Sequence, residues 1–216
     1  MIPKLQLALD MTDLDQSLDI ANLCSDNIDI IEVGTILAIE SGLNSVRKIK
    51  EKLPNSIVLA DIRIIKAGGK LAEMAYKSGA DIVTLISDAT DETFEAVVNM
   101  KQQYQNRDVL IEINDSYTDE DLKRWKRYNL MNLIFHRGSE ITASHSEWDK
   151  SHFKEIKRLN KMGFRIYVTG GIGIEEISLF KDTPVECFII GRTITNSSDP
   201  KKTSKEFKNE IRKCFR

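Results

Sequence analysis

Leu5-Gln6-Leu7-Ala8-Leu9-Asp10-Met11-Thr12 is the stretch that separates two candidate folds. Its first five residues read as an apolar strand. A doubly wound dinucleotide-binding sheet needs a glycine-rich turn after its first strand, so that backbone can approach a pyrophosphate. The turn here is Asp10-Met11-Thr12, without glycine. Working outward, short apolar runs recur at 5–9, 28–33, 57–60, 82–86, 109–113, 132–135, 165–168 and 187–190. Between them lie amphipathic stretches, such as Leu14, Leu18 and Ala21, then Phe153, Ile156 and Leu159, at helical spacing. This alternation is how a parallel sheet of βα units is written into a chain. Eight such units without the dinucleotide turn predict an α/β protein, a (β/α)8 TIM barrel, with residues 1–216 as a single domain. Thr118 followed by Asp121 predicts a capping box, and Gly79 and Gly163 stand where helices should stop.

A chain of 216 residues is enough for one large core. Its 31 basic and 33 acidic residues are interspersed and sum to a net charge of -2, which gives no electrostatic reason to expect nucleic acid or a membrane surface as partner. Lys123, Arg124, Lys126 and Arg127 read as one solvated helix face. The start of the chain lacks a basic leader followed by a long apolar stretch, and no apolar run approaches the ~20 residues of a membrane-spanning helix. Cys24, Cys187 and Cys214 are odd in number and lack metal-ligand spacing. They predict packed thiols in a reducing compartment, with the cytoplasm as the expected location.

In a barrel the chemistry sits at the C-terminal ends of the strands. The runs end in or carry Asp10, Glu32, Asp61, Glu112, His136, Thr169 and Arg192. One acid at a strand end commonly serves as a helix N-cap, but four on one rim repel and require a cation or a proton. Glu32 and Asp61 end neighbouring strands and could reach one Mg2+, a hard ion that prefers oxygen ligands. They could equally pair with Arg63 or Lys66, and the spacing leaves both readings open. His136 stands at a strand end, whereas His145 and His152 fall in a loop and a helix start. Thr169-Gly170-Gly171 and Gly191-Arg192 follow the last two strands, where barrels hold phosphate on backbone N–H groups and arginine. The alternative is that these glycines serve only tight turns.

The segments LQLALD (5–10), DIIEVGTIL (29–37), SIVLADIRIIKAGG (56–69), IEIND (111–115), FHRGS (135–139), IKRLNKMGFRIYVTGGI (156–172) and FIIGRTI (188–194) are collinear with one family. Through them the chain resembles the 3-keto-L-gulonate 6-phosphate decarboxylases of the orotidine 5′-phosphate decarboxylase superfamily. The sister hexulose-6-phosphate synthases are similar in many of the same segments. The resemblance implies a homodimeric barrel with its sites at the dimer interface. It implies Mg2+-assisted loss of carbon dioxide from a phosphorylated keto sugar acid, leaving a cis-enediolate. By the same resemblance Asp10 and Glu112 contact substrate, Glu32 and Asp61 belong to the metal site, and His136 helps protonate the intermediate. Gly171, Gly191 and Arg192 bind phosphate, with Thr169, Gly170 and Arg137 as further substrate-binding candidates.

The superfamily signature D-x-K-x-x-D becomes Asp61-Ile62-Arg63-Ile64-Ile65-Lys66. Its formal charge passes from -1 to +1, and arginine is a planar fork rather than a compact point charge. A unit charge ~6 Å from a divalent ion, at an effective dielectric of ~20, repels it by roughly 5 kcal/mol before screening. In the family the second acid reaches the partner's site, which is where the resemblance would carry the charge of Lys66. After the sixth strand the family's H-R-S-R becomes His136-Arg137-Gly138-Ser139. The expectation is therefore a carbon–carbon lyase in which Asp61, Arg63, Lys66 and His136 decide catalysis. The alternatives are an aldol lyase of the hexulose-6-phosphate synthase type and a catalytically impaired sugar-phosphate binder. Epimerase chemistry on a similar barrel would call for metal-binding histidines after early strands, and the sequence has none there.

Overall fold

Strand and helix alternate along the chain as the apolar runs predict. In the computed structural model, which describes residues 2–137 and 147–216, β1 (Lys4–Leu9) leads into α1 (Leu14–Cys24) and a 3-10 turn (Ser25–Asn27). Then come β2 (Ile30–Val33), α2 (Thr35–Ser41), α3 (Asn44–Lys52), β3 (Ile57–Ile64) and α4 (Gly68–Lys77). The middle of the chain supplies β4 (Ile82–Ile86), α5 (Asp91–Gln103), β5 (Asp108–Ile113), α6 (Asp119–Arg127), β6 (Asn132–His136) and α7 (Lys150–Lys161). It closes with β7 (Arg165–Thr169), a 3-10 helix (Glu175–Phe180), β8 (Cys187–Ile190), α8 (Arg192–Thr195) and α9 (Pro200–Cys214). Each strand pairs in parallel with the next, and β8 returns to β1 through Lys4↔Cys187 to Leu7↔Ile190, so the sheet is a closed barrel.

Alternation along the strands sorts side chains into two cores. Ala8, Ile30, Leu59, Ile82, Leu110, Ile134, Tyr167, Cys187 and Ile189 form a separate cluster. Their strand neighbours Leu7, Ile31, Val58, Val83, Ile111, Leu133, Val168 and Phe188 belong to the larger cluster shared with the helices. The first set faces the barrel axis and the second faces outward. Each fully buried Leu, Ile, Val or Phe contributes about 1.5–3 kcal/mol of transfer free energy. Two steps on from the inward set the axial positions turn polar, giving Asp10, Asp61, Thr84, Glu112, His136, Thr169 and Gly191. One periodicity therefore builds both the core and the rim above it.

β3 departs from the apolar-run reading, which ends it at Ala60. The strand continues to Ile64, and its pairing with β4 slips between Ala60 and Ile64. Arg63 sits in the left-handed region at φ 44, a conformation unusual for a side-chain-bearing residue. The polar Asp61 and Arg63 masked this extension, because a run of apolar residues was the strand signal. The lower strand ends are clamped by ion pairs: Lys4 with Glu186, Lys50 and Arg107 with Asp81, Lys101 with Asp108, and Lys208 with Asp29.

Helix ends follow local chemistry. Thr118 and Asp121 make the reciprocal capping box at α6, and Asp149 makes one with His152 at α7. Gly79 and Gly163 follow α4 and α7 at φ 101 and 95, as stop signals require. Arg124 does not share the solvated face expected of its cluster: it donates to the Ser87 carbonyl at 3.0 Å, pairs with Asp121 at 3.0 Å and covers the Phe94 ring. Cys24 and Cys187 are buried and unbridged, and burial pushes both thiols up, so they remain protonated packing groups. Among the described residues no helix is long and apolar enough to cross a membrane.

Candidate active site

The acids of the upper rim are wired to one another rather than to separate partners. Asp61, buried at the axial position of β3, accepts from the Thr35 hydroxyl at 2.6 Å and the Thr84 hydroxyl at 2.7 Å. Thr35 opens α2, and Thr84 lies two residues beyond Ile82 on β4, so two neighbouring elements fix the carboxylate plane. Glu32 is buried one strand away and accepts from the Gln6 amide at 2.5 Å. Burial, reinforced by the nearby Asp61 charge, raises the Glu32 carboxyl well above its usual range. Burial also raises Asp61, while the two threonine hydroxyls pull it back.

Arg63 completes this side. The Thr84 hydroxyl that donates to Asp61 also accepts from the Arg63 backbone N–H at 2.9 Å, which anchors the left-handed turn. The guanidinium then lies 3.7 Å from Asp61 through Nε and 3.1 Å from Glu112 through Nη2. Of the two pairings the sequence left open, the Asp61–Arg63 contact is present, and Arg63 reaches Glu112 as well. Glu112 Oε1 also faces His136 Nδ1 at 3.5 Å. Asp10 lies over the start of α2, its carboxylate near the Ile36 N–H at 3.5 Å. A Cβ on Gly34 would meet that carboxylate oxygen at 2.1 Å, so glycine is required there for the approach. Lys66 is exposed in the turn between β3 and α4, without an ion pair among the described residues.

Across the barrel mouth the site is built from backbone. Gly170 and Gly171 follow β7 at φ 115 and 61. A Cβ on Gly170 would come within 2.6 Å of the Arg137 carbonyl oxygen, so this glycine allows the β6 and β7 ends to touch. The Arg137 side chain turns away from the axis, toward Glu176 at 3.4 Å and the Gly171 carbonyl at 3.4 Å, and covers the Trp148 ring. It braces the glycine loop from behind. Gly191 caps α8, Arg192 is exposed as its first residue, and the Thr193 hydroxyl ties this turn to the Ile172 carbonyl at 3.2 Å. First-turn N–H groups of a helix have no intrahelical acceptor and point outward. The Thr169 hydroxyl is directed to the Ile189 carbonyl at 3.3 Å, linking β7 to β8.

The sequence reading named the charged groups and missed those that hold them: Gln6, Thr35, Thr84 and Thr193. Gln6 and Thr84 were within reach, since each lies two residues from an inward apolar position. Gly138, Ser139 and His145 lie outside the described residues. A groove of about 580 Å3 beside α7, lined by Phe153, Lys157, Leu179 and Thr183 among others, carries none of these groups.

The donor set suits a hard divalent cation. Burial makes the two carboxylates Glu32 and Asp61 resist ionisation, Glu32 further through the Asp61 charge and Asp61 through Glu112, which an added positive charge would relieve. Among the described residues no three acids, cysteines or histidines converge as metal ligands. An ion here would take two carboxylates and complete its coordination with water or ligand oxygens, as Mg2+ commonly does.

The chain as a whole has counterparts among known proteins. The chain is 36% identical over 210 residues to 3-keto-L-gulonate-6-phosphate decarboxylase UlaD of Escherichia coli (strain SMS-3-5 / SECEC), covering 97% of each chain. A crystal structure of ligand-bound KGPDC from Streptococcus mutans superposes with a TM-score of 0.96 at 28% identity, over 100% of both chains. The 3-hexulose-6-phosphate synthase of Salmonella typhimurium superposes with a TM-score of 0.88 at 25% identity, covering 98% of this chain and 99% of that one. Residues 3–207, which include every rim residue described above, match the Orotidine 5'-phosphate decarboxylase / HUMPS family, and the chain belongs to that family.

Proposed function

We propose that the protein is a decarboxylating carbon–carbon lyase acting on a phosphorylated keto sugar acid of the 3-keto-L-gulonate 6-phosphate type. The observation that carries this reading is the division of one rim into an acid cluster with His136 on one side and a glycine-bordered anion cradle on the other. That division suits a substrate with a phosphate at one end and reacting oxygens at the other. Family membership and 36% identity to a named decarboxylase support it.

The phosphate lies against the backbone of Gly171 and Gly191, clamped by Arg192, while Thr169 and Gly170 hold the two loops together. Asp10 and Glu112 accept from substrate hydroxyls. Glu32 and Asp61 hold Mg2+, which when bound stabilises negative charge developing on substrate oxygens. Glu112 orients His136 through Nδ1 and leaves Nε2 to deliver a proton to the carbon that has lost carbon dioxide. Arg137 acts through the glycine loop that it braces. The exposed apolar side chains Ile36, Ile39 and Ile65 flank the mouth, and two copies pair by this face as a homodimer in the cytoplasm.

One observation favours a second reading, an impaired homologue: Arg63 bridges the two acids that would otherwise serve the substrate and the ion. The two readings separate in an assay of carbon dioxide release from 3-keto-L-gulonate 6-phosphate, run beside aldol cleavage of a hexulose 6-phosphate. If the motif suppresses catalysis, Arg63→Lys with Lys66→Asp should raise carbon dioxide release more than about tenfold, a change of ~1.4 kcal/mol in barrier. A wild type already as fast as the double variant would show the altered motif to be compatible with the reaction. Release of neither product by either protein would remove the lyase assignment.

A further inference from the structure

Asp61 and Glu112 lie on β3 and β5 with β4 between them, and one guanidinium spans the gap. Arg63 reaches Asp61 Oδ2 at 3.7 Å and Glu112 Oε1 at 3.1 Å. Its backbone is held by the same hydroxyl that donates to Asp61: Thr84 accepts from the Arg63 N–H at 2.9 Å and donates to Asp61 Oδ1 at 2.7 Å. The left-handed φ of 44 and the slipped pairing of β3 turn the residue toward the rim. A planar fork suits this task, because it presents separate N–H groups to two carboxylates, which a single ammonium does less well.

We propose that Arg63 is a built-in cation of this site, competing with a divalent ion for the Asp61 carboxylate, so that an ion enters only as the guanidinium leaves. This rests on the reading of Glu32 and Asp61 as the ion's protein ligands. Three features make the exchange workable. Asp61 Oδ2 already accepts from Thr35 at 2.6 Å, so an ion and Arg63 contend for what remains of its coordination. The Arg63 side chain is 47% exposed, and its departure into water opens no cavity in the core. Glu32 makes no ion pair among the described residues and accepts from the Gln6 amide through Oε2, which leaves Oε1 for the incoming ion.

Substrate-free protein titrated with Mn2+ and followed by the electron paramagnetic resonance signal of the free ion tests the idea without reference to turnover. Arg63→Gln and Arg63→Gly should each bind Mn2+ at least about tenfold more tightly than wild type, since each removes a charge close to the ion. Glycine adopts a positive φ freely, so Arg63→Gly keeps the fold even if the glutamine variant does not. Arg63→Lys, which keeps the charge and loses the fork, should fall between. Adding Glu32→Gln to Arg63→Gly should abolish the gain. Equal Mn2+ affinity in wild type and both neutral variants would overturn the role of Arg63 while leaving the ion site intact. Failure of every variant to bind Mn2+ would overturn both that role and the assignment of Glu32 and Asp61 as ligands. A gain that survives Glu32→Gln would place the ion elsewhere and also end the proposal.

Discussion

The lower end of the barrel sets Asp29, Asp81, Asp108 and Glu186 against Lys208, Lys50, Arg107, Lys101 and Lys4, so each acid has a cation of its own. The upper end gathers Asp10, Glu32, Asp61 and Glu112 and gives them one arginine, Arg63, with His136 beside Glu112, among the described residues. Both ends carry four acids, yet burial and mutual repulsion raise Glu32 and Asp61 at the top. The lower ring is balanced within the chain and works as a clamp. The upper one is short of positive charge, and that shortage is what a bound ion, a proton or an arginine can fill. Unbalanced charge on a rigid scaffold is a better pointer to chemistry than acid content alone.

The strongest way to break this contrast is to remove one acidic charge at each end. Asp61→Asn keeps the shape, can accept from one threonine hydroxyl and donate to the other, and removes the charge from the upper acid cluster. It should lower kcat/KM by about a thousandfold, ~4 kcal/mol of transition-state stabilisation, with a small change in stability. At the lower end Asp81→Ala strands Lys50 and Arg107 and removes an acceptor from the Val58 N–H. It should lower unfolding free energy by about 3 kcal/mol while leaving kcat unchanged. Urea unfolding and steady-state kinetics on both variants would undo the comparison if the two losses changed places.

The anion side of the rim gives the next largest effect. Arg192 is exposed, so Arg192→Ala should leave stability within about 0.5 kcal/mol. Binding of a phosphorylated ligand should weaken by ~1.5 to 3 kcal/mol, the range for a charged hydrogen bond. Calorimetry with a sugar phosphate and its dephosphorylated form would measure this, and equal weakening for both would remove the arginine from the phosphate site.

Much of this contrast was legible in the sequence, and the illegible part has a physical cause. Period-two alternation marks axial positions, so acids two steps past apolar ones could be placed on the rim before any coordinates. The glycine-free Asp10-Met11-Thr12 turn excluded the dinucleotide fold, and β8 closes on β1. What the pattern could not give was side-chain wiring. Arg137 and Arg192 both follow strand ends and carry the same charge, yet one is turned behind the glycine loop and the other is exposed. Rotamer and packing decide that, and neither has a sequence period. The extension of β3 was lost for a related reason: a bulge with a left-handed arginine breaks the alternation that reveals a strand.

The smallest expected effect is also the one with the most telling sign. Folding raises the Glu32 carboxyl above its unfolded value, mainly through burial and then through Asp61. The native protein therefore keeps a proton that the unfolded chain releases as pH rises past the ordinary carboxylate range. The stability this contributes is fully present below the unfolded pKa and is lost as pH rises through the folded one. Glu32→Gln stays neutral at every pH, and its side-chain oxygen can still accept from Gln6. At neutral pH the variant should be more stable than wild type, and the gain should vanish as pH falls through the ordinary carboxylate range. Mg2+ should narrow the gap by stabilising wild type alone, because ligand that binds the native state adds to its stability. Urea unfolding of both proteins across this pH range, with and without Mg2+, reads all of these signs. A variant less stable than wild type at neutral pH without Mg2+ would mean that the upper acids are balanced after all, and the contrast between the two ends would fall.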